Sequence, residues 1–183
     1  MTMQTDVLSS HLTQSGFMSL QAPCRLKNIT FSPSGGQSGA IAMFDTKVAP
    51  TSATYARSGT TITVTSSAHG LKTGTLIGIG FSVASGNSAT DGNFTITVTD
   101  ANTFTITDIN SGTIQGGTAC QYVVAYPGGD SRYQYPQRFL LQLNTLTGQT
   151  SSQQVSVPGE GMQCRIGLYT YMNNVAYATV FYG

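Results

Sequence analysis

Apolar and polar residues alternate in short runs along most of the chain. In Thr61-Ile62-Thr63-Val64-Thr65 the isoleucine and valine fall on one side and the threonines on the other. That two-residue period marks a strand with one face in a core and the other in water. It recurs in Phe94–Thr99 and in Thr103–Thr107. Threonine suits the wet face, because its branched Cβ favours extended backbone while its hydroxyl stays solvated. Helical spacing of apolar residues is nearly absent, and Gly, Pro, Asn and Asp punctuate the runs. The pattern predicts an all-β fold with strands at Cys24–Phe31, Ala40–Phe44, Thr61–Thr65, Leu76–Phe81, Phe94–Thr99, Thr103–Asp108, Cys120–Ala125, Arg138–Leu143, Gln154–Val157, Cys164–Tyr169 and Val175–Tyr182. Asp100-Ala101-Asn102 predicts a hairpin turn, since Asp and Asn tolerate left-handed backbone.

The middle of the chain differs from its ends. Threonine-rich alternating runs dominate from about Thr51 to Tyr122, whereas most aromatics lie in 16–50 and 123–183. The expected organisation is a β-sandwich host domain made of 16–50 and 123–183, interrupted by a small β-barrel-like domain over 51–122. Insertions at loop tips leave a host core intact. Residues 1–15 are expected to form a polar arm that a neighbour would have to order.

Composition narrows the functional classes. Charged residues make up 8 % of the 183 positions, against about 25 % in an average domain. Net charge is +1 and hydrophobic content 39 %, the opposite of charge-dominated disorder. Eight scattered cations do not supply the basic surface that neutralises nucleic-acid phosphates. No apolar run approaches the roughly 18 residues of a spanning helix, and Met1 to Gln14 lacks a signal peptide's basic and apolar regions. Neither nucleic acid nor membrane insertion is expected. Serine and threonine supply about a quarter of the chain. A wet but uncharged surface is tolerable where much of it is covered by other subunits, which points to an assembly component.

Candidate chemistry is sparse. The cysteines, Cys24, Cys120 and Cys164, are odd in number and lack a CxxC spacing, so reduced core thiols are expected, in a protein folded in a cytoplasm. His69 has no GxSxG nucleophile to serve, and a turn role for its imidazole, with Leu71 plugging the barrel, is the simpler expectation. Asp91, Asp100 and Asp108 lack calcium-loop spacing, and Asx-turns account for them. No carboxylate pair suits a glycosidase, and no phosphate loop occurs. The Thr-x-Thr runs are too unevenly spaced to stack as an ice-binding array. No catalytic residue, metal or cofactor is expected. The best interface candidates are Arg132, Tyr133, Tyr135 and Arg138, because Tyr and Arg bury area while keeping a polar handle.

Two stretches resemble viral structural proteins. The alternating strand Ile62–Val64, followed by His69-Gly70-Leu71-Lys72-Thr73-Gly74, Leu76–Phe81, Asp91-Gly92-Asn93-Phe94 and Asp100–Thr105, resembles a small β-module common in bacteriophage tail and other virion proteins. The same module is similar to the first catalytic-cysteine half-domain of ubiquitin-activating enzymes, a likeness that carries no chemistry. Val155–Gly161, with its Pro-Gly-Glu-Gly turn, and the closing Ala176–Gly183 resemble the end of small phage structural proteins. The resemblance implies a non-enzymatic structural subunit of a tailed bacteriophage particle, in the tail or neck, with capsid decoration or glycan-binding host adhesion as alternatives. Its partners would be copies of itself and other virion proteins, with host-surface glycan as a further candidate. Its location would be the virion, assembled in the host bacterial cytoplasm.

Overall fold

A computed structural model describes residues 7–18, 23–82, 89–126 and 135–183. Their regular structure is entirely β: β1 (Leu8–Leu12), β2 (Gly16–Phe17), β3 (Cys24–Pro33), β4 (Gly39–Asp45), β5 (Thr51–Thr65), β6 (Leu76–Phe81), β7 (Gly92–Thr95), β8 (Thr97–Val98), β9 (Thr103–Val124), β10 (Arg138–Thr145), β11 (Gln153–Ser156), β12 (Met162–Cys164), β13 (Leu168–Asn173) and β14 (Val175–Tyr182). The strands pair antiparallel into three sheets. The first runs β1-β14-β3-β11, with β12 also on β3; the second runs β10-β4-β13-β2; the third runs β5-β9-β6-β7, with β8 on β9.

The first two sheets share a core. Leu26, Ile29 and Phe31 of β3 and Ala178, Val180 and Tyr182 of β14 meet Ile41 and Met43 of β4 and Leu168 of β13. Every residue of β4 is buried, as its unbroken apolar run implies. One of its faces joins that core, and on the other Ala42 and Phe44 pack with Phe139 and Val123.

The third sheet has its own core of Tyr55, Ile62, Val64, Ile77, Ile79, Phe81, Phe104 and neighbours. The apolar members of the three threonine runs point inward as expected, with Ile62, Val64, Ile96, Phe104 and Ile106 all buried. β6 lies so close to β10 that a Cβ on Gly78 would stand 2.2 Å from Phe139 N. Phe139 N–H donates to Asn93 Oδ1 (3.2 Å), and Gln142 donates to Phe81 O (2.6 Å). The third sheet is therefore docked on the second.

Four expectations change. Residues 8–12, read as part of a polar arm, form β1 on β14, where Ser10 Oγ meets Tyr182 Oη at 3.2 Å and His11 meets Thr179 at 3.0 Å; residues 1–6 lie outside the described residues. The strands read as Thr61–Thr65, Thr103–Asp108 and Cys120–Ala125 are parts of one long ribbon, paired from Thr51↔Tyr122 to Thr65↔Thr103. Phe94–Thr99 divides at Ile96, which leaves the strand to bond Thr75 and Gly74. Cys164–Tyr169 divides because the buried carboxylate of Asp45 captures the N–H groups of Arg165, Ile166 and Gly167 at 2.8–3.2 Å.

Candidate functional site

Of the interface candidates, Arg138 opens β10 and Tyr135 lies just before it. Arg132 and Tyr133 lie outside the described residues. Tyr135 and Arg138 are brought together with three residues that the sequence did not single out: Asp45, Gln163 and Arg165. The Arg165 guanidinium sits over the Tyr135 ring, 4.5 Å from its centroid, a cation–π contact. Arg165 Nε donates to Gln163 Oε1 (3.1 Å), and Arg138 Nη2 donates to Gln163 O (2.9 Å). Arg138 Nε stands 3.6 Å from Asp45 Oδ2, with the arginine side chain 40 % exposed and the aspartate 1 %. Asp45 thus anchors a surface cation from inside the protein. The only sequence signal for it was a carboxylate closing the apolar run Gly39–Asp45, a placement that demands partners.

The segments His69–Gly74, Leu76–Phe81, Asp91–Phe94 and Asp100–Thr105 meet in the third sheet. His69 Nδ1 accepts from Leu71 N–H (3.0 Å), and Nε2 lies 3.2 Å from Asp100 O. With Nδ1 accepting, Nε2 is the ring nitrogen placed to donate to Asp100 O. The ring stacks edge-on against Phe104, and Leu71 packs on the core. His69 is therefore a fastener between two turns. Asp100 accepts from Thr103 Oγ1 and Asn102 N–H, which is the expected hairpin turn and holds its carboxyl below the usual range.

Asp108 does more than an Asx-turn. Besides Asn110 N–H (3.0 Å), it accepts from Thr90 N–H (2.8 Å) and Thr90 Oγ1 (2.7 Å). It also pairs with Arg57 at 3.2 Å, both side chains having no exposure. Burial pushes its pKa up, and these bonds with the Arg57 charge outweigh burial, so the net shift is downward. Arg57 also donates to Gly59 O and Asn110 O, bridging β5 and β9 where their register shifts. Asp91 makes no Asx-turn: it accepts from Phe81 N–H (2.6 Å), and burial first, with the Asp108 charge, pushes its pKa up to about 6.

The Pro158-Gly159-Glu160-Gly161 turn joins two strands that both pair with β3. Gly161 has a left-handed φ of +82°, and a Cβ there would stand 2.4 Å from Leu26 O, so only glycine fits. Lys27 Nζ donates to Glu160 O (2.8 Å), tying the turn down.

All three cysteines are free and buried. Among the described residues no three His, Cys, Asp or Glu side chains are placed to hold a metal ion, and no helix is long and apolar enough to cross a membrane. Compared with known families, curated proteins and solved structures, the chain matches none.

Proposed function

We propose that the chain is a non-enzymatic structural subunit of a tailed bacteriophage particle, placed in the tail or neck, with capsid decoration as the nearest variant. In this reading the first and second sheets are the layers of a β-sandwich built from 16–50 and 123–183, to which β1 adds an edge strand. The third is an inserted barrel-like module of 51–122, carried on β10 through Gly78. Its partners are copies of itself and other virion proteins, and its location is the virion, assembled in the host cytoplasm.

The observation that carries the reading is the outer edge of β5. This 15-residue strand pairs with β9 alone among the described residues. A long edge offers unpaired backbone groups to a neighbouring chain, and proteins that stay single blunt such edges with charge, proline or short length. β5 has no proline and one charged residue, Arg57, which is turned inward. The low charge of the whole chain supports the same conclusion. In a closed ring, one face of each copy would meet a different face of the next. A glycan-binding role has less support, because Arg165 already covers one face of the Tyr135 ring.

Light scattering on the full chain tests the edge. The protein should form a defined oligomer as concentration rises, and placing lysines at the exposed Ser58 and Thr61 should shift it to monomer with its fold intact. A wild-type chain that stays monomeric at every concentration, alone and with its particle proteins, overturns the edge as an assembly surface.

A further inference from the structure

Two of the three thiols lie in one cross-strand pair. Cys24 of β3 and Cys164 of β12 are direct register partners. Arg25 exchanges both backbone bonds with Gly183, at 2.8 and 3.1 Å, on the β14 side of β3. Successive residues of a strand turn their peptide groups to opposite neighbours, so Cys24 faces β12 and forms a hydrogen-bonded pair with Cys164. In such a pair the Cα atoms are about 5.5 Å apart, inside the roughly 4.4–6.8 Å window of a disulfide, and the Cβ atoms, about 5 Å apart, have to close by roughly 1 Å to form the bond. Side chains of direct partners leave the same face of the sheet, and both cysteines belong to the same core.

The pair is also reachable. A cavity of about 450 Å³ is lined by Cys24, Cys164, Arg25, Lys27, Glu160 and Gln163, among others. Cys24 is 6 % exposed and Cys164 fully buried, so Cys24 is the outer thiol. The interaction between the two thiols lowers the pKa of Cys24, while the same interaction and then burial raise that of Cys164. Cys164 Sγ also lies 3.7 Å from Met162 O, to which it donates. Cys120 differs in each respect: it lies in the core of the third sheet, and burial pushes its thiol up to about 12.

We propose that Cys24 and Cys164 are a dithiol site that low-molecular-weight disulfides of the glutathione class oxidise to a reversible intrachain bond. The Cys24 thiolate attacks one sulfur of the small disulfide. A mixed disulfide forms and one small thiol departs with the proton that Cys24 lost. Cys164 gives up its proton and attacks Cys24 Sγ, expelling the second small thiol. The protein loses two electrons and two protons, and the small disulfide is reduced to two thiols. The new bond staples β3 to β12 beneath the Pro158–Gly161 turn.

The full-length native chain is equilibrated in anaerobic buffers of rising oxidised-to-reduced glutathione ratio, quenched with acid and alkylated. Intact mass and peptide mapping then read the thiols. The expected result is loss of two hydrogen atoms' mass, a Cys24–Cys164 linked peptide, an alkylated Cys120, and full reversal by reduced glutathione. The Cys120→Ser variant should titrate identically. Cys164→Ser should stop at a glutathione adduct on Cys24. Three alkylatable thiols at every ratio would overturn the proposal. So would a link that includes Cys120, or a wild-type adduct on Cys24 that never resolves.

Discussion

The buried pair between Arg57 and Asp108 is the sharpest test of how the third sheet holds together. Asp108→Asn keeps the shape and removes the charge. It leaves the Arg57 guanidinium with no exposure, held by the carbonyls of Gly59 and Asn110. The asparagine amide also turns a donor towards one of the groups that donate to Asp108, Thr90 N–H or Asn110 N–H. Removing one partner of a buried ion pair costs about 3–5 kcal/mol, a large part of the roughly 5–15 kcal/mol of a typical domain. The measurement is urea unfolding followed by tyrosine fluorescence, since the chain has nine tyrosines and no tryptophan, and Tyr55 and Tyr122 report on this core. The midpoint should fall with the slope unchanged. Arg57→Met combined with Asp108→Leu should recover most of the loss, because apolar replacement of a whole buried pair is often neutral. Acid should act in the same direction. The folded pKa of Asp108 is depressed, so its contribution is full above about pH 4 and is lost as pH falls through the folded value. An Asp108→Asn chain within about 0.5 kcal/mol of wild type would show that the buried pair does not hold the third sheet together.

Asp91 should behave oppositely: its pKa is raised to about 6, so folding binds a proton that the unfolded chain has released, and stability falls as pH rises from about 4 to 6. Asp91→Asn, which keeps the acceptor for Phe81 N–H, should be flatter over that window and more stable at pH 7 by on the order of 1 kcal/mol after screening; identical pH profiles would count against it. Gly78→Ala forces a Cβ against Phe139 N and should cost about 1–3 kcal/mol, with faster amide exchange in β6 and β10 than in β14; uniform exchange would show that the docking contact is elsewhere. Asp45→Asn should cost about 2–3 kcal/mol and free Arg138, seen as loss of its slowed side-chain N–H exchange, whereas an unchanged Arg138 signal would remove Asp45 as its anchor.

What could be read from the sequence was what a two-residue period encodes. β6 and β14 begin and end as that pattern predicts, and the inward faces of the threonine runs follow it. What escaped depends on distant partners. Residues 51–60 and 109–119 carry Ser58-Gly59-Thr60 and Gly116-Gly117, which look like loop, and become strand by pairing with each other around the Arg57–Asp108 bridge. Leu8–Leu12 has too few apolar residues to announce a strand and is templated by β14. Of the interface candidates, Tyr135 and Arg138 were visible by residue type. Asp45 and Arg165, which organise them, lie 90 and 30 positions from Tyr135 in a chain whose local pattern says nothing of that pairing.

If the chain is built into a virus particle, as proposed, quantitative mass spectrometry of density-purified particles, washed with high salt, should find it at a fixed copy number relative to the major particle proteins, in full particles and in isolated tails or necks. Its absence from particles, while it is abundant in the lysate that produced them, would rule that role out.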